Sequence, residues 1–114
     1  LAAARDPRLT RALQLIHQKI DSDLTLEDIA RAAGMSRSTL AERFHATVGT
    51  TPMRYQTMWR MLKAREHLQT AGATAAEAAA RVGYASEAAF SRAFKKHFEE
   101  SPGAFRRSQA VDGA

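Results

Sequence analysis

Apolar residues return at every fourth position in two stretches of this chain, Leu40, Phe44 and Val48 and then Phe90, Phe94 and Phe98. That interval lays each trio along one stripe of an α-helix and turns the residues between them outward. Both stretches belong to a longer repeat, because Leu40, Phe44, Val48, Pro52 and Tyr55 recur fifty residues later as Phe90, Phe94, Phe98, Pro102 and Phe105. Upstream the offset is forty-nine: Thr25, Ile29, Ala30, Ala33, Gly34 and Met35 pair with Thr74, Ala78, Ala79, Val82, Gly83 and Tyr84. The second copy therefore holds one extra residue in its turn. The repeat covers about 24–55 and 73–106.

Each copy reads as helix, glycine turn, helix. Thr25 is an N-cap with Glu27 and Asp28 in the first turn, where acids complement the helix dipole, and Thr74 with Glu77 has the capping-box spacing. Ile29, Ala30 and Ala33 form an apolar face, after which Gly34 or Gly83 takes the left-handed conformation that ends a helix cheaply. Ser36 or Ser86 then caps a second helix. Thr51-Pro52 and Ser101-Pro102 each read as an N-cap followed by proline at the first helical position. The first opens a long linker helix over about 53–71, and the second a short helix through Arg107. A prefix helix over 7–20 places Leu9, Leu13, Ile16 and Ile20 on one stripe for packing on the first copy. The fold class is all-α: two helix-turn-helix subdomains, about 24–50 and 74–98, joined by the linker helix. Residues 1–6 read as a linker remnant of a longer protein, since the chain starts at Leu1, and 108–114 as a disordered tail.

Composition narrows the chemistry. There is no cysteine, so disulfides, thiol nucleophiles and cysteine-bound zinc are excluded. The histidines His17, His45, His67 and His97 form no metal-ligand spacing, and no glycine-rich phosphate loop or nucleophile elbow is present, so no cofactor and no enzyme is expected. No apolar run approaches the roughly 18 residues of a membrane span. Seventeen Lys and Arg against twelve Asp and Glu give a formal charge of +5, which favours a polyanionic partner.

The run from Ile29-Ala30 to Gly34-Met35-Ser36, with Leu40, Arg43-Phe44 and Gly49-Thr50-Thr51-Pro52, resembles the AraC/XylS family of bacterial transcription regulators. Val82-Gly83-Tyr84, the block Phe90-Ser91-Arg92-Ala93-Phe94-Lys95-Lys96 and Pro102 carry the same resemblance through the second copy. It implies a cytoplasmic activator's seven-helix domain, whose two second helices enter successive major grooves of double-stranded DNA. It also implies RNA polymerase and a separate sensor or dimerisation domain as partners. The segment 52–61 is similar to a subgroup whose sensor is a cupin-like barrel.

Carried over by position, base reading falls on Ser38, Ala41 and Glu42, with Thr39 on the same helix and Arg37 and His45 near the backbone. In the second helix it falls on Glu87, Ala88, Ala89, Ser91 and Arg92, with Lys95 and Lys96 suited to phosphates. Glu42 departs from the family, where a basic or large polar residue is common. The carboxylate accepts from a cytosine amino group, or else first-helix readout is weak and Arg43 takes part of the basic role by reaching round the helix.

Several of these residues have a plainer reading. Ser36 and Ser86 serve as caps whether or not they meet phosphate, and Glu87 stabilises the helix dipole whatever it contacts. Lys95 and Lys96 also suit an ordinary solvated face. Trp59, Tyr55 and Met58 have the spacing of core residues more than of a single-strand stacking platform. Two rival functions stand beside DNA binding. One is a protein-interaction module that kept the fold, favoured by Glu42 and the short alanines. The other is a module fused to an enzyme, as in certain DNA-repair methyltransferases, whose chemistry a cysteine-free segment lacks.

Overall fold

The computed structural model describes residues 6–70 and 72–112, with side chains as far as Gln109 in the last helix. Among them are seven helices and no strand: α1 (Pro7–Gln18), α2 (Leu26–Ala33), α3 (Arg37–Val48), α4 (Pro52–Thr70), α5 (Ala75–Arg81), α6 (Glu87–Phe98) and α7 (Pro102–Asp112). They fall into two compact units, Leu1–Thr57 and Met58–Ala114, and α4 runs from one into the other.

In the first unit, Asp6 caps α1 and Pro7 takes its first turn. Asp6 is thus part of the fold rather than of a linker, while 1–5 lie outside the described residues. The expected stripe on α1 is corrected. Ala12 is fully buried between Leu9 and Ile16, Leu13 only partly so, and Ile20 falls beyond the helix end. A buried face built on steps of three and four residues selects Leu9, Ala12 and Ile16, and the helix stops before Ile20 can join them. These three pack with Ile29, Ala30 and Ala33 of α2 and Leu40 and Phe44 of α3. The Phe44 ring meets Tyr55 edge-on at 5.6 Å, and the Tyr55 hydroxyl lies 2.6 Å from His17 Nε2. Burial pushes the Tyr55 phenol above its ordinary value.

The second unit repeats the plan with a more aromatic core. Phe90 and Phe94 are fully buried with Met61, Ala64, Ala78, Ala79 and Val82. Phe94 stands 5.7 Å from Phe90, 4.7 Å from Phe98 and 6.0 Å from Phe105 between ring centres. Burying each such ring stabilises the fold by roughly 1.5–3 kcal/mol. Tyr84 packs edge-on against Phe90 beneath the Arg60 guanidinium. Trp59 is half-buried with Lys63 Nζ 5.8 Å from its ring centre.

The repeat extends to the hydrogen bonds. In each first helix the N-cap threonine accepts from the third residue and that residue's carboxylate accepts from the cap: Thr25 with Asp28 at 3.1 and 3.0 Å, Thr74 with Glu77 at 3.1 and 3.0 Å. These contacts hold both carboxylates below their ordinary range, the backbone N–H of the threonine contributing most. Gly34 (φ 69°) and Gly83 (φ 84°) both turn left-handed, and the next N–H closes the turn, Met35 onto Ala30 and Tyr84 onto Ala79, each at 3.0 Å. The extra residue of the second copy, Ala85, comes after that closure. Gly49 ends α3 in the left-handed region, whereas Glu99 holds the same position after α6 with φ 66°.

The chain end is corrected as well. α7 continues to Asp112 rather than ending at Arg107, so 108–112 of the expected 108–114 tail are helical, and 113–114 lie outside the described residues. No glycine or proline interrupts the run from Ala104 to Asp112, so nothing local breaks the helix.

Two stability predictions follow from the caps. Glu99 combines a left-handed backbone with an acid at a helix C-terminus, both unfavourable. Glu99→Gly is expected to stabilise the second unit by about 1 kcal/mol and Gly49→Ala to destabilise the first by about as much, read from denaturant melts. An unchanged Glu99→Gly protein would mean that the backbone there carries no strain. Because the capping carboxylates titrate lower when folded, their stabilisation is complete at neutral pH and lost as pH falls through the folded values. Melting temperature is expected to fall as pH drops below about 4. The Asp28→Asn, Glu77→Gln double variant should show a shallower acid loss, and an equal loss would assign it to other groups.

Candidate nucleic-acid interface

Each second helix is fixed at its start by a serine. Ser36 Oγ accepts from the Thr39 N–H at 3.1 Å and Ser86 Oγ from the Ala89 N–H at 3.1 Å, each satisfying an otherwise free donor of the first turn. The Ser36 hydroxyl also donates to Thr39 Oγ1 at 2.9 Å, so both hydroxyls are engaged in the cap. Burial of Leu40 and Phe44 on α3, and of Phe90 and Phe94 on α6, then decides which residues face outward.

On α3 that outward face carries Arg37, Ser38, Glu42 and His45, all exposed, with Thr39 and Ala41 half-buried at its edges. Arg37 lies between two shallow hollows. One is lined by Leu26, Ser36, Ser38 and Ala41, and the other by Glu27, Ala30, Arg31, Met35 and Ser36. Arg31 is itself occupied, 3.4 Å from Glu27 and 3.7 Å from Asp28. Arg43 is exposed too, but it does not join the Ser38 and Glu42 side. Its Nη1 lies 3.6 Å from Asp6 Oδ2, toward the start of α1.

On α6 the outward face carries Glu87, Ala88, Arg92, Lys95 and Lys96, with Ala89 and Ser91 half-buried. Three fixed cations stand there against one carboxylate. None of the three is ion-paired among the described residues. The α3 helix has two cations against one carboxylate, and one of the two is taken by Asp6. Of the two second helices, α6 therefore offers an anion the larger exposed positive charge.

The sequence residues proposed for the interface thus form two clusters, one on each second helix. Asp6 was missed as a member of the first. Its signal was present, since Asp before Pro7 is a helix-start pattern, but its pairing with Arg43 spans thirty-seven positions that no local rule connects. Among the described residues no three His, Asp or Glu side chains group as a metal site, and no helix is long and apolar enough to cross a membrane.

Comparison with known proteins agrees with this geometry. A family model described as a helix-turn-helix domain matches residues 29–108. An AraC-like transcription regulator of Streptomyces lividans is 44% identical over 107 residues, 94% of this chain and 35% of that protein. The transcriptional regulator AlkR of Acinetobacter baylyi is 39% identical over 107 residues, again 94% of this chain and 35% of the relative. The chain spans about a third of the length of these curated relatives. Among solved structures, an AraC-type DNA-binding regulator from Chromobacterium violaceum superposes with a TM-score of 0.84 at 31% identity, covering 95% of this chain and 96% of that one. The DNA-binding domain of the global transcriptional factor AdpA, solved in complex with a target DNA, superposes with a TM-score of 0.86 at 27% identity, covering 94% and 96%. Two capped helix-turn-helix repeats with outward second helices, matched over most of their length by these proteins, place the chain in the AraC family as a helix-turn-helix DNA-binding domain.

Proposed function

We propose that the chain binds double-stranded DNA in a sequence-specific manner for a bacterial transcription regulator, α3 and α6 each entering a major groove. The observation that carries this is the cationic face of α6, unpaired among the described residues and set opposite buried Phe90 and Phe94. Arg92 reads a base edge there, guanine O6 and N7 being its best partners, while Lys95 and Lys96 attract the phosphates. Glu87, Ala88, Ala89 and Ser91 complete the α6 surface. On α3, Ser38, Ala41 and Glu42 face the bases, Glu42 accepting from a cytosine amino group, and Arg37, Thr39 and His45 lie toward the backbone. Ser36 and Ser86 preserve the helix starts.

The wider reading is that the intact regulator is cytoplasmic, activates transcription through RNA polymerase and carries a separate sensor or dimerisation domain, cupin-like in kind. The short span of this chain relative to its curated relatives supports a further domain.

The two reading faces differ, Arg37-Ser38-Glu42 against Glu87-Ala88-Arg92, so a single chain should select a composite site of two unlike halves. Selection of bound duplexes from a random pool tests this directly. A strict inverted repeat occupied by two chains would refute it, and no enrichment, together with salt-independent binding, would favour a protein-interaction module.

Losses on α6 should then differ in kind. Arg92→Ala is expected to cost about 1–3 kcal/mol on the selected site and to relax preference at one base pair. Lys95→Ala should weaken all sequences alike and lower the salt slope by roughly one. Phe94→Ala should instead unfold the second unit through a cavity costing about 3–5 kcal/mol. Base-by-base competition with melting curves alongside separates the three. Unaltered preference in folded Arg92→Ala would remove Arg92 from base readout.

A further inference from the structure

Asp6 uses its carboxylate both to cap α1 and to pair with two arginines, Arg43 and Arg8, the latter with Nε 3.8 Å from Oδ1. Oδ1 accepts from the backbone N–H of Arg8 at 3.0 Å and of Leu9 at 3.4 Å, which caps α1. Oδ2 stands 3.6 Å from Arg43 Nη1, which ties the same residue to α3. Arg43 follows Glu42 and so lies about 100° further round the helix, on the flank that meets Asp6 rather than on the outward face of Ser38 and Glu42. It is one of only two fixed cations of α3, the other being Arg37. Pairing it therefore removes half of the positive charge that this helix could offer a phosphate.

We propose that Asp6 is a positioning residue that holds Arg43 off the duplex and so restrains the DNA affinity of the first unit. The proposal rests on α3 being a recognition helix and adds a residue from outside either helix-turn-helix. With Asp6 charged, Arg43 makes no phosphate contact and Arg37 is left as the one fixed cation that α3 offers the backbone. With the Asp6 charge removed, the guanidinium is released to the neighbouring phosphate and the first unit binds any sequence more tightly. The carboxylate thereby trades affinity for discrimination, because a sequence-independent contact strengthens cognate and non-cognate binding alike.

Because Oδ1 also faces Arg8, Asp6→Asn frees that arginine too, and the Arg43→Ala double variant is what separates the two. Asp6→Asn keeps an N-cap as good as aspartate but loses the anion that holds Arg43. Binding of the wild type, Asp6→Asn, Arg43→Ala and the double variant to a mixed-sequence duplex is measured over a range of salt, with Asp21→Asn as a control for removing one exposed acid of the same unit. Asp6→Asn is expected to bind about two- to fivefold more tightly at low salt, the scale of one exposed ion pair. Its salt slope should steepen by roughly one counterion. Arg43→Ala in the wild type should leave the slope unchanged and, combined with Asp6→Asn, should abolish the gain. A loss of affinity and slope in Arg43→Ala alone would overturn the proposal, since Arg43 would already touch DNA. So would an equal gain in Asp21→Asn, or a gain that survives in the double variant, either of which is a general charge effect. A wild type that binds the duplex while Asp6→Asn gains nothing sinks the proposal and spares the DNA-binding reading, whereas a wild type that fails to bind overturns both.

Discussion

Burial of one phenylalanine-bearing face on each second helix is the constraint from which the interface follows. Phe44 on α3 and Phe90 and Phe94 on α6 have no exposure to solvent. Turning either helix about its axis would expose rings whose burial is worth roughly 1.5–3 kcal/mol each, so the rotation is fixed within narrow limits. The outward residues are then fixed by the sequence interval alone. No contact made by Ser38, Glu42 or Arg92 is needed to aim them, which leaves these positions open to change without loss of the fold.

The two units solve the same packing problem with different materials. The first closes its core on aliphatic side chains of α1 and α2 around one phenylalanine, with Tyr55 at the edge and His17 on its hydroxyl. The second is backed by Met61, Ala64 and Leu68 of α4 and fills its interior with a series of rings from Phe90 to Phe105. Matched positions carry larger residues there, Phe for Leu at 90 against 40 and Phe for Val at 98 against 48. Glu99 is less easily explained. It keeps a left-handed backbone where the first unit uses Gly49, and nothing in the structure accounts for an acid there.

Much of this was legible because the determinants are local. Thr25, Thr74, Ser36 and Ser86 announce helix starts, Gly34 and Gly83 announce turns, and spacing by four marks Phe90, Phe94 and Phe98, all without knowledge of the tertiary structure. What escaped depends on distance or on missing signals. Asp6 and Arg43 meet only after α1 has folded onto α3. Ala12 is a core residue too small to stand out in a hydrophobic pattern, and Ile20 looked like one but follows the end of its helix. The last turns of α7 are polar and weakly patterned, so a tail was the natural reading, although nothing in 108–112 breaks a helix. At the interface, exposure could be read from the interval between apolar residues. Pairing could not, and pairing separates Arg43, already engaged, from Arg92, which has no ion-pair partner among the described residues.

The serine caps also bear on the entropy of recognition. Ser36 and Ser86 bond to the first turn of their own helices, so the backbone beneath Arg37, Ser38, Glu87 and Ala88 is ordered when the chain folds rather than when it meets a partner. Loss of backbone freedom is among the larger penalties of association, and here it has already been met. Short side chains with few rotamers, such as Ser38, Ala41 and Ala88, add little further ordering. The helix starts that bear these side chains are thus ordered by the fold itself, with no further ordering of their backbone left to a partner.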